Sequence, residues 1–207
     1  MNSAKPPAPH RLATDTDNGL LLIISGPSGA GKTTITRGVE RSIPGSVFSV
    51  SATTRARTPI EVEGVDYHFV DDATFEAMMA RDEFLETAGV YGKKYGTPKA
   101  PVAEQLRRGR LVILEIDVQG AVEVKRQIPA AYSIFVLPPD EATLLARLRA
   151  RKREDESLIQ KRFAQAKAEM KLARGCGVYD IFLVNEKVED SIAEAVRLVQ
   201  ARRAGVV

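Results

Sequence analysis

The residues of this sequence best suited to do chemistry form one loop, Gly26-Pro27-Ser28-Gly29-Ala30-Gly31-Lys32-Thr33. This phosphate loop fits the pattern G-x-x-x-x-G-K-[ST], in which backbone N–H groups surround the phosphates of a nucleotide. The lysine of the pattern brings positive charge to the terminal phosphates, and the hydroxyl residue can ligate a phosphate-bound Mg²⁺. We therefore predict a site for ATP or GTP, with Thr33 as a metal ligand, made of Gly26, Pro27, Ser28, Gly29, Ala30, Gly31, Lys32, Thr33 and Thr34.

The sequence on either side of the loop decides between this interpretation and an ordinary glycine-rich turn. The apolar run Leu20–Ile24 predicts a buried strand before the loop, and Thr34–Arg41 can continue as a helix after it. Strand, loop and helix in this order are what the motif needs in order to bind phosphate. The context therefore favours a nucleotide site.

Two further segments are rich in polar side chains. Ser51–Arg57, with Glu61 and Tyr67 after it, combines hydroxyl and guanidinium groups that suit a second phosphate. A polar edge strand has the same composition, and the residues alone leave both interpretations open. The second segment, Gly89–Pro98, contains Tyr95 and Thr97 and is either a loop shaped around a ligand or a hairpin turn.

Acidic and basic side chains supply the remaining candidates. Glu115 and Asp117 end an apolar run, where an acid of a phosphate-loop enzyme organises Mg²⁺ and its waters; a solvated strand end is the alternative. Charge runs on helices are usually solvated, but phosphoryl transfer also needs cations around the transferring group. The candidates for such a clamp are Arg147, Arg149, Arg151, Lys152, Arg153, Lys161 and Arg162.

Apolar runs alternate with helical stretches along the chain, which predicts an α/β fold, a parallel sheet with helices on both faces. The predicted strands of the core are Leu20–Ile24, Val47–Ser51, Leu111–Asp117, Ala130–Leu137 and Ile181–Val184. The predicted helices after the first cover residues 74–80, 99–108, 141–151, 158–174 and 188–203.

Composition limits the class of protein. Among 207 residues, 30 basic and 27 acidic side chains nearly cancel, which argues against a nucleic-acid partner. The single cysteine, Cys176, excludes an intrachain disulfide and cysteine-ligated zinc of the usual spacing. Met1–Asn18 lacks the apolar stretch of a signal peptide and predicts a disordered tail. No apolar segment approaches a membrane span, so we expect no membrane partner and a cytoplasmic protein.

The ordered set of motifs from about Gly19 to Val199 resembles the guanylate kinase family. The segments that carry the resemblance are Ser25–Lys32, Ser51–Arg55 with Glu61, Gly64, Tyr67 and Phe69, Tyr95-Gly96-Thr97, Glu115–Gly120, Arg147–Arg151, Lys161-Arg162-Phe163 and Val184-Asn185. The resemblance implies a P-loop NTPase-type domain over 19–203, with a core (19–46 and 99–203), a β-rich GMP-binding insertion (47–98) and a lid (147–162). It also implies transfer of the γ-phosphoryl group of ATP to GMP, giving ADP and GDP, with Mg²⁺, in guanine nucleotide metabolism.

The same resemblance implies roles for individual residues. The phosphate of GMP would be held by Ser51, Arg55, Tyr67 and Tyr95, with Glu61 in the same substrate-binding set. Glu86 would accept hydrogen bonds from guanine N1–H and the exocyclic amine, and the Thr97 hydroxyl would reach O6. Arg151 and Arg162 would close over the transferring group, and Asn185 would lie near adenine. Glu115 and Asp117 would position guanine, arginines or metal waters. The catalytic residues would be Lys32, Arg55, Arg151 and Arg162.

The chain departs from the family pattern at three places. Thr58 stands where the family has a second phosphate-holding arginine, and Arg57, one residue earlier in an extended segment, points to the opposite face. Glu115 replaces the usual aspartate. Ala150-Arg151-Lys152 replaces Gly-Arg-Gly, which lowers hinge freedom.

Two other functions fit parts of the pattern. A kinase of the same fold acting on a sugar phosphate has no use for Glu86 and Thr97 as readers of guanine. A non-catalytic binding module related to guanylate kinases typically lacks the loop glycines or the lysine, and this chain keeps them. The oligomeric state stays open at this point.

Overall fold

The structure is a computed structural model that describes residues 19–90, 92–150 and 155–206. Its strands are β1 (Leu20–Ser25), β2 (Val47–Phe48), β3 (Ala52–Thr53), β4 (His68–Phe69), β5 (Phe84–Val90), β6 (Lys93–Pro98), β7 (Leu111–Glu115), β8 (Tyr132–Leu137) and β9 (Ile181–Val184). Its helices are α1 (Lys32–Ser42), α2 (Asp72–Ala80), α3 (Lys99–Arg107), α4 (Val118–Gln127), α5 (Glu141–Ala150), α6 (Glu156–Cys176) and α7 (Val188–Arg203). The disordered tail predicted at residues 1–18 lies outside the described residues.

A parallel sheet in the order β2-β7-β1-β8-β9 forms the centre of the molecule. Every residue of β1 is buried because helices cover both faces of this strand. Alternate side chains of β1 pack on opposite sides: Leu22 and Ile24 join α1 and α7, whereas Leu21 and Ile23 join α3 and α4. The predicted α/β class with a parallel, helix-flanked sheet is confirmed.

A second, four-stranded sheet in the order β4-β3-β6-β5 lies within the predicted insertion. Here β5 and β6 form an antiparallel hairpin that pairs Glu86 with Thr97. Of the two interpretations of Gly89–Pro98, the hairpin is confirmed. The strands of this hairpin nevertheless carry candidate site residues.

One predicted strand, Val47–Ser51, is wrong in its extent. Val47 and Phe48 pair with β7 in the parallel sheet, and the chain then crosses to β3 in the second sheet. The insertion therefore begins after Phe48 rather than at residue 47.

At the start of several helices, an aspartate side chain accepts a hydrogen bond from a backbone N–H group of the first turn. Asp71, Asp117 and Asp155 cap α2, α4 and α6 by accepting from the backbone N–H three residues later. Helix α4 was not predicted, and Asp117, predicted as the end of a strand, is its N-cap. None of the helices in the described ranges has the length and apolar content that a membrane crossing requires.

Candidate active site

The phosphate loop connects β1 to α1 and leaves the start of α1 open to an anion. The N-cap of α1 is Gly31, at φ 96°, which has no side chain to occupy the first-turn N–H groups. The Nζ of Lys32 lies 2.5 Å from the carbonyl oxygen of Gly26 and 3.1 Å from that of Pro27. The Thr33 hydroxyl donates to Oε1 of Glu115 at 2.7 Å. The loop thus places a cation and a hydroxyl at the start of a helix whose N-cap residue has no side chain.

Asn185 supports the loop from the protein interior. Its amide donates to the carbonyl oxygen of Ala30 at 2.7 Å and accepts from the Ser191 hydroxyl at 3.1 Å. A Cβ on Gly31 would overlap the Asn185 amide nitrogen. Asn185 is 3% exposed and packs beneath the loop, where it holds the loop's main chain; its position near adenine stays a prediction.

A cavity of about 470 Å³ lies in front of the phosphate loop. Its wall includes the loop, the carboxylates of Glu115 and Asp117 at the end of β7, and Arg162 of α6. The cation of Lys32, the hydroxyl of Thr33 and the two acidic side chains therefore face the same cavity, as the sequence predicts. The predicted GMP residues on the second sheet are not part of this wall among the described residues.

Helix α6 adds three residues beside the predicted Arg162 that the sequence analysis did not single out, Gln165, Ala166 and Glu169. Arg162, Gln165, Ala166 and Glu169 line the cavity at helical spacing, which is the signal that could have identified them. Burial raises the pKa of Glu169, and the positive charge of Lys32 opposes that rise. Glu169 accepts from Gln165 at 3.0 Å. This face brings both signs of charge to the cavity.

Arg55, Tyr67 and Tyr95 come together on the second sheet. The Arg55 guanidinium lies 5.4 Å from the Tyr67 ring centroid, and the two tyrosine rings lie 5.8 Å apart. Ser51 joins this sheet through its carbonyl oxygen, which accepts from the backbone N–H of His68. A cation with phenol groups beside it is an arrangement that suits an anion such as phosphate.

Glu61 holds Arg55 at two points, with Nη2 to Oε1 at 2.5 Å and Nη1 to Oε2 at 3.0 Å. These hydrogen bonds lower the pKa of Glu61 to about 2 and raise that of Arg55 above its ordinary value. These contacts make Glu61 a positioning residue for Arg55, and its place in the substrate-binding set stays a prediction.

Thr58, the departure from the family pattern, belongs to the same clamp. Its backbone N–H and its hydroxyl both donate to Oε2 of Glu61, at 2.8 and 2.7 Å. Thr58 therefore orients the carboxylate of Glu61, and this carboxylate in turn orients Arg55.

Glu86 and Thr97 form a buried pair across the β5–β6 hairpin. The two residues are 4% and 1% exposed, and the Thr97 hydroxyl donates to Oε1 of Glu86 at 2.6 Å. Burial is the main cause that raises the pKa of Glu86 to about 7; the negative charges of Asp117 and Glu123 contribute to the rise, and the hydrogen bond from Thr97 opposes it. This is a carboxyl group poised to accept hydrogen bonds from a ligand.

The predicted lid is described in part. Arg162 lies on α6 at the cavity, whereas Arg151 falls outside the described residues. Arg147 donates to the carbonyl oxygens of Asn185 at 3.0 Å and Glu186 at 3.4 Å, which ties α5 to the chain after β9.

Known proteins resemble this chain over almost all of its length. A family model described as guanylate kinase matches residues 18–202. A guanylate kinase from Anaeromyxobacter dehalogenans is 46% identical over 186 residues, 89% of this chain and 81% of its own. One from Carboxydothermus hydrogenoformans is 44% identical over 185 residues, 89% of each chain. The crystal structure of guanylate kinase from Anaplasma phagocytophilum is similar with a TM-score of 0.70 and 29% identity, covering 92% of this chain and 89% of that one.

Proposed function

The chain belongs to the guanylate kinase family and is an ATP:GMP phosphotransferase, and from this premise we propose how its residues divide the work. An oxygen of the GMP phosphate attacks the γ-phosphorus of ATP, and the bond from that phosphorus to ADP breaks. Such a transfer depends on positioning and charge neutralisation rather than on a covalent enzyme intermediate. The division into core, insertion and lid is part of this proposal.

GMP binds through its phosphate to the second sheet. Arg55 is the principal cation, with Tyr67, Tyr95 and Ser51 as hydroxyl donors. The two-point contact with Glu61 supports this role because it fixes the guanidinium plane before substrate arrives. Glu61 and Thr58 act through Arg55 and do not touch the phosphate.

Guanine is read by Glu86 and Thr97, and the burial of Glu86 is the observation that carries this assignment. A carboxylate that is 4% exposed is unfavourable unless donors satisfy it. Guanine N1–H and the exocyclic amine supply two donors on one edge, which matches a carboxylate. Thr97 has a single hydroxyl proton, already donated to Glu86, so its contact with O6 requires that this proton turn towards the base.

ATP places its triphosphate in the cavity at the phosphate loop. Lys32 exchanges its carbonyl partners for the β- and γ-phosphates, and Arg162 faces the transferring group from α6. Arg151 serves as a second lid cation. Asn185 holds the main chain of Ala30, and thereby the loop, in the binding conformation.

The oxygen atoms beside Lys32 fit Mg²⁺. Thr33 and Glu115, which share a hydrogen bond of 2.7 Å, and Asp117 offer the hard oxygen ligands that this ion takes directly or through waters. In the described ranges no group of three or more His, Cys, Asp or Glu side chains could hold a metal alone, which suits an ion held largely by nucleotide phosphates. Bound with ATP, Mg²⁺ neutralises the phosphate charge that develops during transfer.

Turnover by ADP release tests the assignment. With ATP and Mg²⁺, we expect strong turnover with GMP and little with AMP, CMP, UMP or ribose 5-phosphate, because only guanine presents two donors to Glu86. Chelating Mg²⁺ should abolish the GMP reaction. Equal turnover of AMP and GMP would contradict the guanine assignment, and full activity in chelator would contradict the metal assignment. Cytoplasmic location and the absence of a nucleic-acid partner stay predictions.

The pH dependence of GMP use follows from the pKa of Glu86. Because that pKa is raised to about 7, lowering the pH through 7 protonates the carboxyl group and removes an acceptor for guanine. We expect kcat/KM for GMP to fall below about pH 7, while the KM for ATP changes less. The GMP phosphate itself titrates near pH 6, so Glu86→Gln serves as the reference variant. In its pH profile of kcat/KM, the fall near pH 7 should vanish and the fall caused by the phosphate should persist. A profile identical in both proteins would contradict this role.

A further inference from the structure

Gly120 lies against the carboxyl group of Glu86. It is the third residue of α4, is buried, and its backbone N–H donates to Oδ1 of Asp117 at 2.8 Å. A Cβ on Gly120 would stand 2.8 Å from Oε2 of Glu86, 3.2 Å from its Cδ and 3.3 Å from its Cγ. The space that a side chain would fill is thus the space the Glu86 carboxyl group occupies.

We propose that Gly120 is a positioning residue for guanine specificity: its missing side chain sets where the Glu86 carboxylate stands. The inference rests on the proposed role of Glu86 as the reader of guanine. It assigns a role to a residue of α4 that touches neither the phosphate loop nor the phosphate-binding arginine.

The surrounding contacts decide what moves when a methyl group is added. Helix α4 is held at its start by the Asp117 cap and near its end by Gln127, whose amide donates to the carbonyl oxygen of Leu85 on β5 at 2.6 Å. Between these points Ala121 and Val124 are fully buried against the sheet. The free end of the Glu86 side chain is the part least restrained, so the carboxyl group is displaced and its hydrogen bond with Thr97 is disturbed.

Helix propensity makes the expected outcome distinctive. Alanine in a helix interior is more stable than glycine by about 0.5–1 kcal/mol. A glycine with a purely local role would therefore give a more stable protein with unchanged kinetics on substitution. A glycine that makes room for Glu86 should give a protein of similar stability with impaired GMP binding.

The test compares Gly120→Ala with Gly175→Ala, a matched control in α6, where an added Cβ meets nothing within 4 Å. We expect Gly120→Ala to raise the KM for GMP by roughly 10-fold to 100-fold, because losing one hydrogen bond to a charged group has an effect of about this size. The KM for ATP and the melting temperature should stay near the wild-type values, and preference for GMP over IMP, which lacks the exocyclic amine, should fall. Gly175→Ala should leave both KM values and the GMP preference unchanged, and should raise the melting temperature slightly because alanine favours the helix.

A second variant tests the steric cause. Aspartate is one methylene shorter, so Glu86→Asp in the Gly120→Ala background should retain more GMP kcat/KM than the product of the two single effects predicts. The proposal would be overturned if the losses in kcat/KM of the two single variants simply multiply in the double variant. It would also be overturned if Gly120→Ala leaves the KM for GMP unchanged or causes a large fall in the melting temperature. If Glu86→Gln itself leaves GMP kinetics intact, the proposed guanine site fails instead, which separates the two hypotheses.

Discussion

Replacing Lys32 with alanine is expected to lower kcat by about 10²–10³-fold while the protein stays folded, because preorganised charge at the transferring group contributes an effect of this size. In the structure Nζ bridges the carbonyl oxygens of Gly26 and Pro27, which places the charge at the mouth of the loop where the phosphates enter. Its loss removes positive charge from the transition state. Initial rates at saturating ATP and GMP measure the effect.

The melting temperature and a control variant at another lysine distinguish a loss of catalysis from a loss of folding. The side chain of Lys32 is half-buried and bonded to loop carbonyls, so a loss of about 1 kcal/mol and a melting temperature lower by about 2–4 °C are expected. Lys99→Ala, which removes a surface contact with Asp82 at 2.6 Å, should keep full activity. A near-normal kcat in Lys32→Ala would refute the assigned role.

Replacing Glu86 with glutamine is expected to reduce kcat/KM for GMP by roughly 10²–10⁴-fold, since two hydrogen bonds to a charged acceptor contribute about 1.5–3 kcal/mol each. Glutamine has nearly the same shape, but its NH₂ group donates where guanine also donates. Discrimination between GMP and IMP should fall, because glutamine offers one acceptor oxygen where the carboxylate offers two. The measurement is the ratio of the two kcat/KM values.

The same substitution should stabilise the fold at alkaline pH. The folded protein holds the pKa of Glu86 at about 7, above its ordinary value of 4.5, so the ionised form is disfavoured in the native state. That penalty is absent at low pH, develops as the pH rises from about 4.5 to about 7, and reaches about 3 kcal/mol. Glutamine removes it, so a variant that is less active yet melts higher at pH 8 is expected.

A carboxylate outside the site provides the control for both readouts. Glu83 pairs with Arg81 at the surface just before β5, with Oε1 to Nε at 2.6 Å. Glu83→Gln should change neither the GMP kinetics nor the stability at pH 8. Unchanged GMP kinetics in Glu86→Gln would show that another group reads the base.

Elements with a strong local pattern could be predicted from the sequence. The predicted strand Ile181–Val184 and helix 188–203 match β9 and α7, and the strand before the phosphate loop matches β1 apart from Ser25. Before Ser25, strand β1 is a fully apolar run that lies buried in the interior of the parallel sheet, an environment that does not depend on which strands are its neighbours.

Elements with a mixed pattern could not be predicted. Helix α4 contains a glycine and three valines, which have low helix propensity, and packing of Ala121 and Val124 on the sheet outweighs that preference. Strand β5 contains Glu86, Thr87 and Gly89 and resembles a loop until β6 pairs with it. The sheet that stabilises α4 is distant in sequence, whereas β5 is stabilised by the neighbouring strand of its own hairpin.

The sequence by itself determined the chemistry of this protein. The glycines, lysine and threonine of the phosphate loop lie within eight consecutive positions, and local backbone geometry is enough to make them a phosphate site.

The tertiary structure decided which partners the polar side chains contact within the protein. The sequence analysis placed Asn185 and Glu61 among the ligand contacts. The fold turns Asn185 towards Ala30, 155 residues away, and Glu61 towards Arg55. It also seats Gly120 against Glu86. These contacts arise from strand register and helix packing between separate segments, and no local pattern in the chain encodes them.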